Sequence, residues 1–307
     1  MNPVESIRIA LRALGANKLR ATLTMLGIVI GVGAVVGLMS IGRGAQASIT
    51  ASIQSQGTNL IFVRPGATQQ GGVRTGQGNA PTLTFEDAEA LIDAVRAPAV
   101  AAVAPELNQF AQLIASGQNY NSRILGTTPE YEEVRNFHVA SGEFISRQNV
   151  EARSSVIVLG ATVADNLFGD LDPVGQTVKL SIGNRPGVTF RVVGVMERKG
   201  GTGFGNQDDM ALVPISTMET RLATQRTARG ARNVNTINVQ AVDQASIKAA
   251  VEQVGEILRE RHKTAQDDFT VQSQEDLLQV ASQITGVMTL LLGAIAGISL
   301  VVGGIGI

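Results

Sequence analysis

From Ala21 to Gly42 no charged residue interrupts the chain, and apolar side chains fall on every helical face rather than on one stripe. A bilayer core needs about 20 such residues, because a helix satisfies its own backbone polar groups where water is absent. A second uncharged run follows Asp276 and continues to Ile307. The pattern predicts two transmembrane helices, residues 21–42 and 284–307. Beyond the first, Ile41, Ala45, Ile49 and Ile53 continue an i, i+4 apolar line with Gln and Ser on the other faces. That helix is expected to run on as a stalk through Ile49 and Ile53, with Gly57 as its C-cap. On the return side, Ser273-Gln274-Glu275-Asp276 reads as an [ST]-x-x-[DE] cap ahead of the second apolar run. The second helix is therefore also expected to start outside the membrane.

Between the spans, residues 43–283 alternate strand and helix signals. Leu60 to Val63 reads as a strand, Gln69 to Pro81 as a Gly- and Gln-rich loop, and Thr84-Phe85-Glu86-Asp87 as the cap of a helix running to about Arg96. Val100 to Val103, Ala111 to Ala115 and Arg123 to Gly126 read as strands. Near the end, Thr236 to Val242 is a strand, Asp243 caps a helix from Ser246 to Arg261, and Phe269 to Gln272 is another strand. These make one α/β unit. Its halves are separated by residues 137–232, a mostly β stretch with strands at Val156 to Leu159, Thr177 to Ile182, Val188 to Val195 and Ala211 to Val213, and a short helix from Ala161 to Phe168. The expected fold class is α+β: two transmembrane helices with stalk extensions flanking a large extracytoplasmic α/β domain that carries an inserted mostly β subdomain.

The flanks orient the chain. Arg8, Arg12, Lys18 and Arg20 precede the first span with Glu5 as the only acid, and Arg43 alone follows closely. Basic flanks stay cytoplasmic, which places residues 43–283 outside the cytoplasm. Residues 1–20 form a cytoplasmic lead-in. Ile7, Leu11 and Leu14 share one helical stripe there, the pattern of a helix lying on membrane lipids or of a solvated basic flank. A cleaved secretory signal is the alternative for the first span, since Ala45-Gln46-Ala47 resembles a cleavage site, but an h-region runs to about 15 residues and this run is longer. The chain stops at the second apolar run, so it is expected to be a fragment of a longer polypeptide.

Composition narrows the chemistry. Of 307 residues 44% are hydrophobic and only 17% charged, and a net charge of −1 provides no basic field for nucleic acid. The absence of Cys excludes disulfides and thiolate nucleophiles. His138 and His262 lie far apart, without acids at metal-ligand spacing, and read as surface or packing residues. The acid pairs Asp208-Asp209 and Asp267-Asp268 each precede a strand and read as solvated turn residues. Gly200 to Gly205 falls between two strands and reads as a flexible hairpin loop rather than a nucleotide loop. No G-x-x-x-x-G-K-[ST] occurs, so the chain has no Walker-type phosphate cradle, and with the histidines and acid pairs read as above no catalytic residue, cofactor site or metal site is assigned to it. Within the spans Gly27 and Gly31, Gly33 and Gly37, and Gly293 and Gly297 each satisfy G-x-x-x-G, the spacing that lets helices approach closely in lipid.

Several ordered blocks resemble the MacB/FtsX-type family of ABC transporter permeases. ESIRIALRALGANKLRATLTMLGIVIGVGAVVGLMSIGRGA resembles its first helix with the cytoplasmic lead-in, and QGTNLIFVRPG its first external strand. SGEFIS, VIVLGATVADNLFGDLDPVGQTVKL and FRVVGVMERKGGTGFGNQDDMALVPISTMETRL resemble the periplasmic core, and LLLGAIAGISLVVGGIGI the second helix. The resemblance implies a multi-pass protein of the bacterial inner membrane with a large periplasmic domain, four membrane helices per subunit, and a permease dimer. It also implies an ABC ATPase partner that binds ATP and Mg, a periplasmic adaptor and an outer-membrane channel. In that family ATP hydrolysis moves the periplasmic domain through stalk helices, for efflux or for lipoprotein or peptide export. The ATPase domain and the helices after the second are missing from this sequence, so no ATPase-contact residue is carried over. The alternative is a membrane-anchored extracytoplasmic sensor or binding protein without transport activity.

Overall fold

The computed structural model describes residues 5, 8, 18–54, 59–66, 69–70, 73–74, 82–183, 186–200, 206–222, 232–263 and 266–305. The chain divides into two units, residues 1–51 with 278–307, and residues 52–277.

The first unit is helical. Helix α1 runs unbroken over Lys18–Gln54, and the last helix of the chain over Gln274–Ile305. Met25–Ala51 and Gln274–Ile295 are each long and apolar enough to cross a membrane. Their large side chains, among them Val29, Ile41, Leu290 and Ile298, are exposed within this chain. Continuation of α1 past Gly42 agrees with the i, i+4 line through Ile49. The Gly57 cap and nearly all of the lead-in helix lie outside the described residues.

The second unit begins with β1 (Leu60–Pro65), followed by the small hairpin β2 (Gln69–Gln70) and β3 (Val73–Arg74). Helix α2 (Phe85–Ala90) leads to β4 (Val100–Ala115) and β5 (Gln118–Thr127). Next come α3 (Tyr131–Val134), β6 (Val139–Gly142), α4 (Arg147–Glu151), β7 (Val156–Leu159), α5 (Ala161–Phe168), β8 (Thr177–Ser181) and β9 (Val188–Met196). Then follow β10 (Met210–Pro214), α6 (Ile215–Thr217) with a π turn over Met218–Leu222, β11 (Thr236–Ala241), α7 (Ile247–His262), β12 (Phe269–Ser273) and α8, the Gln274–Ile305 helix.

The strands form one sheet in the order β12-β1-β11-β4-β5-β10-β7-β9-β6, and β8 pairs with both β4 and β9. That double pairing closes β4, β5, β10, β7, β9 and β8 into a six-stranded barrel. Closure removes the open edges that a two-sided sheet leaves for aggregation. Alternate residues of each strand fill the interior: Leu113, Ile124, Ile157, Val178, Phe190 and Val192 are fully buried in one cluster, with Val163 and Leu167 of α5. The barrel takes β4 and β5 from outside the 137–232 stretch, so this stretch is not a self-contained β subdomain.

The remaining strands, β12-β1-β11-β4, are antiparallel throughout. Helix α7 covers one face, because Ile247, Ala250, Val254, Ile257 and Leu258 recur at helical spacing and all are buried. A second cluster, with Leu60, Phe62, Tyr131, Phe137 and Ile145, packs the opposite face. Strand β1 is thus buried on both sides.

Four sequence expectations are corrected. Helix α2 ends at Ala90 rather than near Arg96: the Asp93 side chain accepts the Val95 amide at 3.0 Å, an Asx turn competing with the helix, and Pro98 follows. The strands expected at 100–103 and 111–115 are one strand, β4. Gly200 to Gly205 does not join a hairpin, because β7 lies between β9 and β10; residues 201–205 lie outside the described residues. Asp208 is buried rather than solvated, and its carboxylate accepts the amides of Lys199 at 2.9 Å and Gly200 at 3.0 Å, closing that loop.

Candidate functional site

No residue separates β12 from α8: the strand ends at Ser273 and the helix starts at Gln274. The polypeptide turns there through a reciprocal cap. Asp276 Oδ2 accepts the Ser273 amide at 2.8 Å and the Ser273 hydroxyl at 2.7 Å, while Ser273 Oγ accepts the Asp276 amide at 3.1 Å. Two amides that a helix start would otherwise leave unpaired are satisfied, and the acids Glu275 and Asp276 favour the positive end of the helix dipole. Ser273 and Gln274 are buried, and Leu277 packs against the second core cluster. The first turn of α8 therefore belongs to the folded domain. Strand β12 is in turn held along its length by β1, from Pro65 opposite Phe269 to Ile61 opposite Ser273.

At the other end of β12 lies a buried ionic cluster. Asp87, at the third position of α2, has 4% of its side chain exposed and closes a capping box with Thr84. Its Oδ1 accepts from Arg261 Nε at 2.7 Å, and its Oδ2 lies 3.1 Å from His262 Nε2. The other imidazole nitrogen, Nδ1, lies 2.6 Å from Asp268 Oδ1. The ring, 7% exposed, is bracketed by two carboxylates and meets Phe269 edge to face. The bond to Asp87 raises the His262 pKa, against the opposing effect of burial and with help from Asp268. Burial pushes the Asp87 carboxyl up, but hydrogen bonds from His262, Arg261 and Thr84 outweigh it and hold the group well below the usual carboxylate range. The Asp268 carbonyl also accepts the Gly66 amide at 2.8 Å and the Thr82 hydroxyl at 2.8 Å, so the cluster gathers α2, α7, the ends of the 66–82 loop and the start of β12.

His262 is a buried packing residue held by two carboxylates, and the cluster corrects the reading of Asp268 as a solvated turn residue. Asp267 is exposed but paired, with Arg259 Nε at 3.0 Å. Asp87 and Asp268 were legible as part of a cap and as part of an acid pair; their convergence on His262 had no signal, since Asp87 and His262 lie 175 positions apart. The cluster ties α2, α7 and the start of β12 together, and among the described residues no group of three His, Asp or Glu side chains is arranged to hold a metal ion.

The residues expected to pack membrane helices stand differently. A Cβ built at Gly27, Gly33, Gly37, Gly293 or Gly297 meets nothing within 4 Å, so this chain alone leaves those faces open; Gly31 is buried. Ile49 is half-buried within α1, Lys18 is exposed at its start, and Arg8 is an exposed helical residue. Arg12 lies outside the described residues, and the side chains of Arg20 and Ile53 are likewise outside them.

Comparison with known proteins addresses the whole chain. Residues 21–257 match the family described as MacB-like periplasmic core domain. The chain is 38% identical over 305 residues to the macrolide export ATP-binding/permease protein MacB of Azoarcus sp., covering 99% of this chain and 43% of that protein. It is 39% identical over 306 residues to the protein of the same description from Rhodospirillum rubrum, covering 99% and 44%. It thus spans less than half the length of these curated relatives. In fold it resembles the periplasmic region of MacB from Actinobacillus actinomycetemcomitans, with a TM-score of 0.59 at 21% identity over 75% of this chain and 95% of that one. It also resembles the extracellular domain of the noncanonic ABC-type transporter YknZ from Gram-positive bacteria, with a TM-score of 0.54 at 18% identity over 70% and 100%. The match of 237 of 307 residues to one family description, together with the identity along nearly the whole chain, leads to one conclusion: this chain belongs to the MacB-like periplasmic core domain family of ABC transporter permeases.

Proposed function

We propose that the chain is part of a permease subunit of the MacB type in the bacterial inner membrane, and that it converts ATP hydrolysis on an ABC ATPase into movement of its periplasmic domain. The ATPase, with its ATP and Mg, resides on a separate subunit or domain. The movement serves efflux or lipoprotein or peptide export, and the permease works as a dimer, with a periplasmic adaptor and an outer-membrane channel as further partners. The relatives' description as macrolide export proteins supports the efflux reading.

The observation that carries the proposal is the uninterrupted passage from β12 into α8. A helix that follows the last strand without a linker, and whose first turn is capped by and packed into the domain, supports this reading. The small-residue faces at Gly27, Gly33, Gly37, Gly293 and Gly297 are then available to other helices of the permease.

The test is a flexible insertion. Placing Gly-Ser-Gly-Ser between Ser273 and Gln274 of the full-length permease, reconstituted with its ATPase, should abolish substrate movement in proteoliposomes while ATP hydrolysis continues. Unchanged transport by the insertion variant would overturn the proposal.

A further inference from the structure

A cleft of about 380 Å³ opens between α2 and α4. One wall comes from the α/β half of the domain, through Phe85 and Ile92 of α2 and the turn after it and through Pro105 of β4. The other comes from Val150 of α4, with Glu130 and Arg147 at the mouth. Its volume lies within the range of small-molecule sites, about 300–1,000 Å³, and like them it combines apolar walls with a few polar groups.

Two features define what it would hold. Ile92 leaves 59% of its surface exposed at the opening, an aliphatic side chain whose contact with water an apolar occupant would remove. The charges at the mouth do not cancel. Glu130 is paired with Arg147 at 2.9 Å, and Glu86 with Arg232 at 2.9 Å, the latter guanidinium lying over the Phe85 ring at 4.3 Å. Glu89, exposed on the cleft wall, makes no ion pair among the described residues. Of the residues lining the cleft, two carboxylates, Glu89 and Glu130, therefore face one guanidinium, Arg147, leaving one uncompensated negative charge beside apolar walls.

We propose that this cleft is a binding site for a small apolar monocation, whose hydrocarbon body lies against Phe85, Ile92 and Val150 and whose charge is balanced by Glu89. An occupant would touch both halves of the domain at once. The proposal stands independently of transport, because binding is measured without any ATPase.

The probe is tetraphenylphosphonium, with tetraphenylborate as its counterpart of nearly the same shape and opposite charge. Saturable binding of each to the chain in lipid nanodiscs is measured by equilibrium dialysis, with protein-free nanodiscs subtracted. The cation should bind at least tenfold more tightly than the anion. Glu89→Gln should weaken it about fivefold, the scale of one charge contact near a protein surface. Ile92→Arg, at an exposed position the fold tolerates, should remove saturable binding, with an unchanged unfolding transition confirming that the domain is intact. Equal affinity for the two ions, or cation affinity unaltered in both variants, would overturn the assignment.

Discussion

Asp276 grips Ser273 through one carboxylate oxygen, taking its amide at 2.8 Å and its hydroxyl at 2.7 Å. The contact spans three positions of sequence, yet it sits where the sheet ends and a 32-residue helix begins. Asp276→Ala removes the reciprocal half of the cap. The expected loss is about 1 kcal/mol, and a drop of about 2–4 °C in the unfolding midpoint of a domain of this size. Ser273→Ala combined with Asp276→Ala should cost less than the sum of the two single changes, because both remove the same bonds. Thermal denaturation of the three variants followed by circular dichroism checks this.

The His262 cluster predicts a pH profile. The folded-state pKa of His262 lies above its ordinary value of 6.5, so its stabilisation is complete below that pH and is lost as pH rises through the higher folded value. Asp87 lies below its ordinary value of 3.8, so its contribution is present above that pH and is lost on acidification. The cluster thus stabilises most between these two ordinary values. His262→Gln should flatten the alkaline decline in a series of urea midpoints; a decline as steep as that of the parent chain would show that another group causes it.

Removing the shared carboxylate should be more damaging than removing the imidazole. Asp87→Ala leaves Arg261 and the buried His262 ring without the carboxylate they share, and breaking such a buried pair costs about 3–5 kcal/mol. His262→Gln keeps one amide within reach of either acid and should cost less. Equilibrium unfolding of both variants orders them.

Gly66 has no room for a side chain. A Cβ there would lie 2.8 Å from the Asp268 carbonyl carbon and 2.8 Å from the Phe269 nitrogen, backbone atoms at the entry to β12. Gly66→Ala should destabilise the domain by about 1–3 kcal/mol, the usual cost of overpacking. Gly169, whose added Cβ meets nothing within 4 Å, offers a control for lost chain flexibility, though its φ of +58° adds strain of its own.

Gly297 gives the opposite expectation. Its surroundings in this chain are open, so Gly297→Leu should leave the unfolding transition of the domain unchanged. In the full-length complex the same change should reduce transport about tenfold, equivalent to about 1.4 kcal/mol of lost helix packing. Undiminished transport would show that this face packs against nothing.

What could be read directly from the chain was local. Two uncharged runs, the i, i+4 line through Ile49, and the caps Thr84-x-x-Asp87 and Ser273-x-x-Asp276 all depend on residues within a turn or two of each other, and all reappear in α1, α2 and α8. Such features are set by backbone geometry and solvation over a few residues, so the linear order already contains them. The barrel, the meeting of Asp87 with His262, and the cleft between α2 and α4 were decided only on folding. β8 closes the barrel by pairing with a strand far away in sequence, with Ser181 opposite Gln112, and Arg261 and His262 reach Asp87 because α7 packs across the sheet. These contacts depend on strand register and on which face each helix buries. Both are settled by the shared core rather than by any segment alone.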